Sequence, residues 1–138
     1  MNPQEKTKLY RLLDANFNRA KEGLRVCEDI CRFIHDNVAA TSEYKKLRHE
    51  LNQIVISLKI EDLLASRNVE NDVGRRSIPS ERLRKDTGDI FYANSQRVKE
   101  SIRVLEEFSK MFDAPLAEKI KKMRYRIYAL EKKIVTRS

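Results

Sequence analysis

The apolar residues of this chain recur at alternating steps of four and three, which is the period of a helix that buries one face. The first such stripe is preceded by Asn2, Pro3 and Glu5, which fit a capped helix start with proline at the first helical position. We expect this first helix to end near residues 36–37. Its stripe consists of Leu13, Phe17, Ala20, Leu24, Cys27, Cys31 and Ile34.

Three more helices are predicted by the same pattern. The second is capped by Thr41 or Ser42, and its stripe continues through Leu63 and Leu64 to an end near Ser66. Residues 67–84 lack clean periodicity and form a connector. The third helix begins between residues 87 and 89, and the fourth opens at residues 113–115. The later stripes are Tyr44, Leu47, Leu51, Ile54 and Leu58; Phe91, Val98, Ile102, Leu105 and Phe112; and Leu116, Ile120, Met123, Ile127, Leu130 and Ile134.

Much of the chain is duplicated. Residues 15–33 return 78 positions later as residues 93–111, and the second helix of each half aligns at an offset of 76. The sequence therefore predicts an all-α fold in which four long helices form two duplicated antiparallel helical hairpins that pack as a bundle. We expect a single domain, 1–138, with repeat halves at about 3–66 and 87–136 and a connector at 67–86.

The identities between the two copies are mostly polar, which packing alone would not preserve. We interpret them as a duplicated polar site and expect a pseudo-twofold axis to place the two copies opposite each other or side by side. The alternatives are interhelical hydrogen bonds at a groove edge, solvated salt bridges, or a dimer contact that would make the protein a homodimer. The repeated polar pairs are Asn16/Asn94, Arg19/Arg97, Glu22/Glu100 and Arg25/Arg103.

Composition narrows the choice of ligand. Charged residues make up 36 % of the chain, and the net charge of +8 favours an anionic partner such as a phosphorylated metabolite, a nucleic acid or a membrane surface. Neither a signal-like apolar run nor a membrane-length stretch is visible, so we expect a cytoplasmic protein. Cys27 and Cys31 lie on the apolar stripe, where reduced thiols behave as small hydrophobic groups.

The runs LLDANFNRAKEGLRVCEDICRF, KKLRHEL, DVG and YANSQRVKESIRVLEEFSK, followed by MRYRIYALE, resemble the small helical domain often fused ahead of thiamine-phosphate synthase. The resemblance spans residues 12–131. It implies a transferase, a kinase that uses ATP to convert hydroxymethylpyrimidine phosphate into the diphosphate for thiamine biosynthesis. Where fusion proteins tend to carry a short acidic, glycine-containing run before DVG, this chain has residues 68–71, Asn-Val-Glu-Asn.

Phosphoryl transfer to a phosphate needs no general base, because the acceptor oxygen is already anionic; positioning and charge neutralisation suffice. We therefore predict Arg19 and Arg97 as catalytic residues that hold the phosphates of a nucleotide and a phosphorylated pyrimidine. Arg67 and Gly74 are connector residues expected to contact a ligand, although a solvated crossover is the alternative. The other predicted ligand-binding residues are Asn16, Asn94, Arg48 and Arg124, and the predicted Mg²⁺ ligands are Asp72, Glu22 and Glu100.

Three other functions fit the same sequence. One is a non-enzymatic module that binds anions or RNA. Because acidic residues are interleaved with basic ones along this chain, we do not expect nucleic acid as a partner. A second is an accessory domain of thiamine-phosphate synthase. The third is a small helical isomerase of the chorismate mutase kind, which would form no ADP.

Overall fold

The computed structural model describes residues 1–58, 65–74 and 83–137, and these residues contain four long α-helices and no strand. The helices are α1 (Pro3–Asp29), α2 (Val38–Ser57), α3 (Thr87–Ser109) and α4 (Ala114–Arg137). Helices α1 and α2 form one hairpin, and α3 and α4 form the other. The predicted all-α bundle is confirmed. Leu63 and Leu64, predicted for the second stripe, lie outside the described residues.

The connection between α1 and α2 in the first hairpin differs from the prediction. Helix α1 opens with the expected capping box between Asn2 and Glu5, and its far end runs into a π-helical segment, Ile30–Ile34. Asp36 then takes a positive φ of 51°, which places Asn37 to cap α2 by accepting a hydrogen bond from the Ala40 backbone N–H at 3.0 Å. The predicted caps at Thr41 and Ser42 are therefore wrong, because both residues lie within α2 and not at its start.

Helix α2 ends earlier than expected. Its last α-helical residue is Ser57, where the predicted end was Ser66. The Leu58 backbone N–H donates to the Val55 carbonyl at 3.1 Å, a tightened i to i−3 bond of the kind that closes a helix. The starts of α3 at Thr87 and α4 at Ala114 agree with the prediction.

The two long helices α1 and α3 cross in opposite directions. Gly23 lies against Asn94 and Val98, so close that a Cβ atom at Gly23 would stand 2.6 Å from Val98 Cγ2. Further along α1, Cys27 Sγ lies 4.0 Å from the Phe91 carbonyl. As residue numbers rise along α1, the facing numbers on α3 fall, which defines an antiparallel pair.

The predicted stripes meet in one core. Leu13, Leu24 and Ile120 are completely buried, and Tyr44 packs edge-on against Phe91 with ring centroids 6.5 Å apart. Burial also raises the pKa of Cys27 to about 12 and that of Cys31 to about 11, as expected for structural thiols.

Two members of the predicted stripes are outside this core. Ile34 and Phe112 are 55 % and 43 % exposed. Ile34 belongs to the π-helical segment, where the number of residues per turn differs from that of an α-helix. Phe112 lies beyond the end of α3 at Ser109.

Candidate functional site

A cleft of about 860 Å³ opens along the outer face of α1. Helix α1 supplies most of its wall, Val104 of α3 adds an apolar patch, and the connector closes the other side with Arg67, Val69 and Asp72. This volume falls within the range of small-molecule sites. Three cationic side chains of α1 line the cleft, namely Lys8, Arg11 and Arg19.

The connector is fastened to α1 by a bidentate ion pair. Arg67 donates from Nε to Asp14 Oδ2 and from Nη2 to Asp14 Oδ1, both at 2.8 Å. Asp14 is only 8 % exposed, and its Oδ1 also accepts a hydrogen bond from Asn18 Nδ2 at 3.2 Å. These hydrogen bonds to Asp14 raise the pKa of Arg67 above its ordinary value. Arg67 therefore holds the connector in place and gives the cleft its second wall.

Asp14 was missed by the sequence analysis. Its equivalent in the second half is Tyr92, so the repeat gave no signal for it, and its partner lies 53 residues away.

Asn16 and Arg19 lie in the cleft, as predicted for the first copy of the repeat. Asn16 is 5 % exposed; its Nδ2 donates to the Leu12 carbonyl at 2.9 Å, and its Oδ1 accepts a 3.5 Å hydrogen bond from Arg19 Nη1. Arg19 is exposed and forms no salt bridge with any residue that the structure describes. Its guanidinium thus contacts a neutral amide and has no acidic partner among the described residues.

The second copy occupies a different place. Asn94 makes the equivalent bond to the Ile90 carbonyl at 2.8 Å, and Arg97 is exposed, but neither residue lines the cleft. The helix packing sets Asn94 beside Gly23, seven residues along α1 from Asn16. The expectation of one cleft shared by both copies is therefore wrong, and the predicted roles of Asn94 and Arg97 find no support in the cleft.

Arg48 and Arg124 are engaged with buried carboxylates. Arg48 Nε donates to Glu28 Oε1 at 3.0 Å, and Arg124 Nε donates to Glu106 Oε1 at 2.9 Å. Glu28 and Glu106 are 3 % and 2 % exposed, so each needs a cation to offset its desolvation. This structural pairing accounts for both arginines without the predicted phosphate clamp.

The predicted metal ligands are only partly brought together. Glu22 and Asp72 line the cleft and Glu100 does not. Asp72 Oδ1 accepts a hydrogen bond at 2.9 Å from the backbone N–H of Gly74, which does not itself line the cleft. Among the described residues, no group of three or more side chains is placed to hold a metal by itself. Mg²⁺ commonly binds through one or two carboxylates and substrate phosphates, and Glu22 and Asp72 fit that pattern.

Comparison with known sequences decides the family. The profile of the ThiD2 family matches residues 11–133. The chain belongs to the ThiD2 family. No solved structure matches it.

Several curated relatives are named thiamine-phosphate synthase. The one from Thermosynechococcus vestitus is 43 % identical over 92 % of this chain, and the one from Synechocystis sp. is 42 % identical over 95 %. The relative from Rhodopirellula baltica is 36 % identical over 94 %. The chain spans little more than a third of the length of these relatives, at 35 %, 37 % and 35 %. In the described part of the chain, no helix is long and apolar enough to cross a membrane.

Proposed function

We propose that this domain is an ATP-dependent kinase that phosphorylates hydroxymethylpyrimidine phosphate to the diphosphate in thiamine biosynthesis. Membership of the ThiD2 family and the relatives named thiamine-phosphate synthase support the pathway. The observation that carries the proposal is the cleft, whose cations Lys8, Arg11 and Arg19 form no salt bridge with any described residue.

The proposed reaction suits the chemistry of this cleft. A phosphate oxygen of the acceptor attacks the γ-phosphorus of ATP, the bond from that phosphorus to the β,γ-bridging oxygen breaks, and ADP leaves. No proton must be removed from the acceptor oxygen, so a general base is unnecessary. The protein has to bring two anions together and neutralise their charge, which is the task of arginine and lysine side chains.

Arg19 is the residue we assign to this charge neutralisation, with Asn16 orienting its guanidinium. Glu22 and Asp72 would hold Mg²⁺ together with phosphate oxygens, and the metal would supply further neutralisation of the transferring phosphoryl group. Val69 and Val104 provide apolar surface against which a pyrimidine ring can pack.

The test is ADP formation with hydroxymethylpyrimidine phosphate, compared with free hydroxymethylpyrimidine, for the unchanged protein and for two matched variants. Arg19→Ala should lower kcat/KM by roughly a hundredfold, the scale of losing one donor to developing charge. Arg97→Ala removes the equivalent arginine outside the cleft and should stay within about threefold of the unchanged protein. Equal losses in both variants would instead assign both copies to the reaction, as the repeat suggested.

An accessory role in thiamine-phosphate synthase is the second candidate, because the matched relatives carry that name and are more than twice as long as this chain. It predicts that the purified domain forms no ADP with either pyrimidine. It also predicts that adding the domain to a thiamine-phosphate synthase lacking it changes the rate of that enzyme. ADP formed only with the phosphorylated pyrimidine would exclude a purely accessory role.

A further inference from the structure

The cleft has a second cationic position, at the opposite end from Arg19. Lys8 and Arg11 are three residues apart, which puts them on one face of α1, and both line the cleft. Arg19 lies about 12 Å further along the helix axis than Arg11, at 1.5 Å per residue. A single phosphate group is too small to bridge that separation. The cleft therefore offers two anion positions along one helix face.

The two positions differ in their surroundings. At the Arg19 end, the carboxylate of Glu22 follows the arginine by three residues on α1 and lines the same cleft. At the other end, Lys8 and Arg11 also line an adjoining open depression of about 530 Å³. The other described residues that line this depression are Pro3, Gln4 and Thr7, and none of these carries a negative charge.

The carboxylate closest to Arg11 along the sequence of α1 is already engaged. Asp14 follows Arg11 by three residues, but both of its oxygens accept hydrogen bonds from Arg67 at 2.8 Å. Lys8 and Arg11 make no salt bridge with any described residue. Two cations without counter-charge form the more positive end of the cleft.

We propose that Lys8 and Arg11 bind the polyphosphate of the nucleotide, while Arg19 binds the phosphate of the pyrimidine. The assignment follows charge complementarity: a triphosphate carries more negative charge than a monophosphate, and the end with two uncompensated cations suits it better. Both reactants then lie lengthwise along α1 with their phosphates directed towards each other. This inference rests on the proposed kinase function for the identity of the nucleotide.

Binding of inorganic tripolyphosphate, measured by isothermal titration calorimetry, tests the assignment without requiring turnover. Lys8→Ala combined with Arg11→Ala should raise the dissociation constant at least tenfold. The matched control is Lys119→Ala combined with Lys122→Ala, which removes the same charge at the same spacing from an exposed part of α4. The control should change the constant by less than about twofold. Equal weakening in both double variants, or none in the first, would overturn the proposal.

A kinetic experiment separates failure of this inference from failure of the kinase function. The Lys8/Arg11 variant should raise KM for ATP at least tenfold and leave KM for the pyrimidine phosphate within about threefold, and Arg19→Ala should show the reverse preference. An unchanged KM for ATP would refute the assignment while leaving the kinase proposal intact. If the unchanged protein bound tripolyphosphate through Lys8 and Arg11 but formed no ADP, the anion site would stand and the kinase proposal would fail. Thermal unfolding of each variant checks that the bundle is preserved.

Discussion

The two repeat halves share their buried polar contacts and differ in the charge of their outer faces. In each half a carboxylate on the long helix pairs with an arginine on its hairpin partner, Glu28 with Arg48 and Glu106 with Arg124. Asn16 and Asn94 likewise make the same hydrogen bond to the carbonyl four residues earlier. These polar residues, identical in the two halves, therefore have partners within the fold. Their contacts explain why both halves keep them without requiring a ligand.

The outer faces have diverged in charge. Lys8 and Arg11 of α1 correspond, 78 positions later, to Asp86 and Asp89. Asp86 caps α3 by accepting a hydrogen bond from the Asp89 backbone N–H at 2.8 Å, so these carboxylates serve the start of the helix. In this molecule the duplicated ion pairs stabilise the fold. The candidate site combines repeat residues of α1 with two cations that the second half lacks and with the connector.

The largest expected effect is on the buried ion pairs. Arg48→Met and Arg124→Met should each lower the free energy of unfolding by roughly 2–4 kcal/mol, because the buried carboxylate loses one of its two cations. It keeps only a half-exposed arginine, Arg25 at 3.5 Å from Glu28 or Arg103 at 2.8 Å from Glu106. Urea denaturation of both variants measures the losses. Similar losses would confirm equivalent structural roles, whereas a loss under about 1 kcal/mol in either half would show that its ion pair is dispensable.

A double replacement serves as the control for this prediction. Converting both partners of one pair, Glu28→Met with Arg48→Met, removes the buried charge as well as its partner. Apolar replacements of buried ion pairs are often neutral, so the double variant should regain most of the stability lost by Arg48→Met alone. Failure to regain it would point to lost packing of the arginine stem as the cause.

A smaller difference is expected where the halves are not equivalent. Lys99 Nζ lies 2.8 Å from Glu131 Oε2, and both side chains are about 15 % exposed, at 14 % and 15 %. The repeat equivalent of Lys99 is Lys21, but Val55 stands where Glu131 would be needed. Lys99→Met should cost about 1–3 kcal/mol of unfolding free energy, between the values for surface and buried pairs.

Lys21→Met is the matched comparison, because Lys21 is also partly buried but forms no salt bridge with a described residue. It should stay within about 0.5 kcal/mol, the usual range for substitutions that break no such contact. Chemical denaturation of the two variants side by side gives the difference. If Lys21→Met cost as much as Lys99→Met, the lysine stems rather than the ion pair would account for the conservation of both residues across the repeat.

Most of the fold could be predicted from the sequence, because the buried apolar residues recur with the period of an α-helix. The starts of α3 and α4 and the fourth apolar stripe needed only local patterns. The start of α2 was misjudged because Thr41 and Ser42 are as suitable for capping as Asn37, and the choice depends on the turn at Asp36. The same turn includes a π-helical segment that no periodic pattern signals.

The candidate site was only half predictable, because it depends on which residues distant in sequence come together. Asn16 and Arg19 could be placed on one helix face by counting residues. That Arg97 would not line the cleft with Arg19 depends on how α1 and α3 pack, which a repeat does not specify. The Asp14–Arg67 pair joins α1 to the irregular connector, where spacing carries no information.

Gly23 offers a test of that crossing. Ala at position 23 would place its Cβ 2.6 Å from Val98 Cγ2 and 3.0 Å from the Asn94 carbonyl oxygen, so the two helices would have to separate. Overpacking of this kind costs about 1–3 kcal/mol, and alanine returns up to about 1 kcal/mol of helix propensity. We expect Gly23→Ala to lower the unfolding free energy by about 1–2 kcal/mol in urea denaturation.

A double-mutant cycle identifies the cause of that loss. Combining Gly23→Ala with Val98→Ala removes the closest contact, so the combined cost should be smaller than the sum of the two single costs. Strict additivity would mean that the backbone contact with Asn94, and not the valine side chain, limits the approach of the helices.

The smallest stability effect is expected for Asn16→Ala and Asn94→Ala, and here the two halves should agree in stability but differ in function. Each variant loses one side-chain hydrogen bond to a carbonyl that can still accept a backbone hydrogen bond of the helix. Each should therefore lower the free energy of unfolding by about 0.5–1 kcal/mol or less in urea denaturation.

Only Asn16 also accepts a hydrogen bond from Arg19 in the cleft. Asn16→Ala should therefore raise KM for the pyrimidine phosphate several-fold while Asn94→Ala leaves it unchanged. Matching KM values in two equally stable variants would show that Arg19 needs no orienting amide and that the halves are as alike in function as in structure.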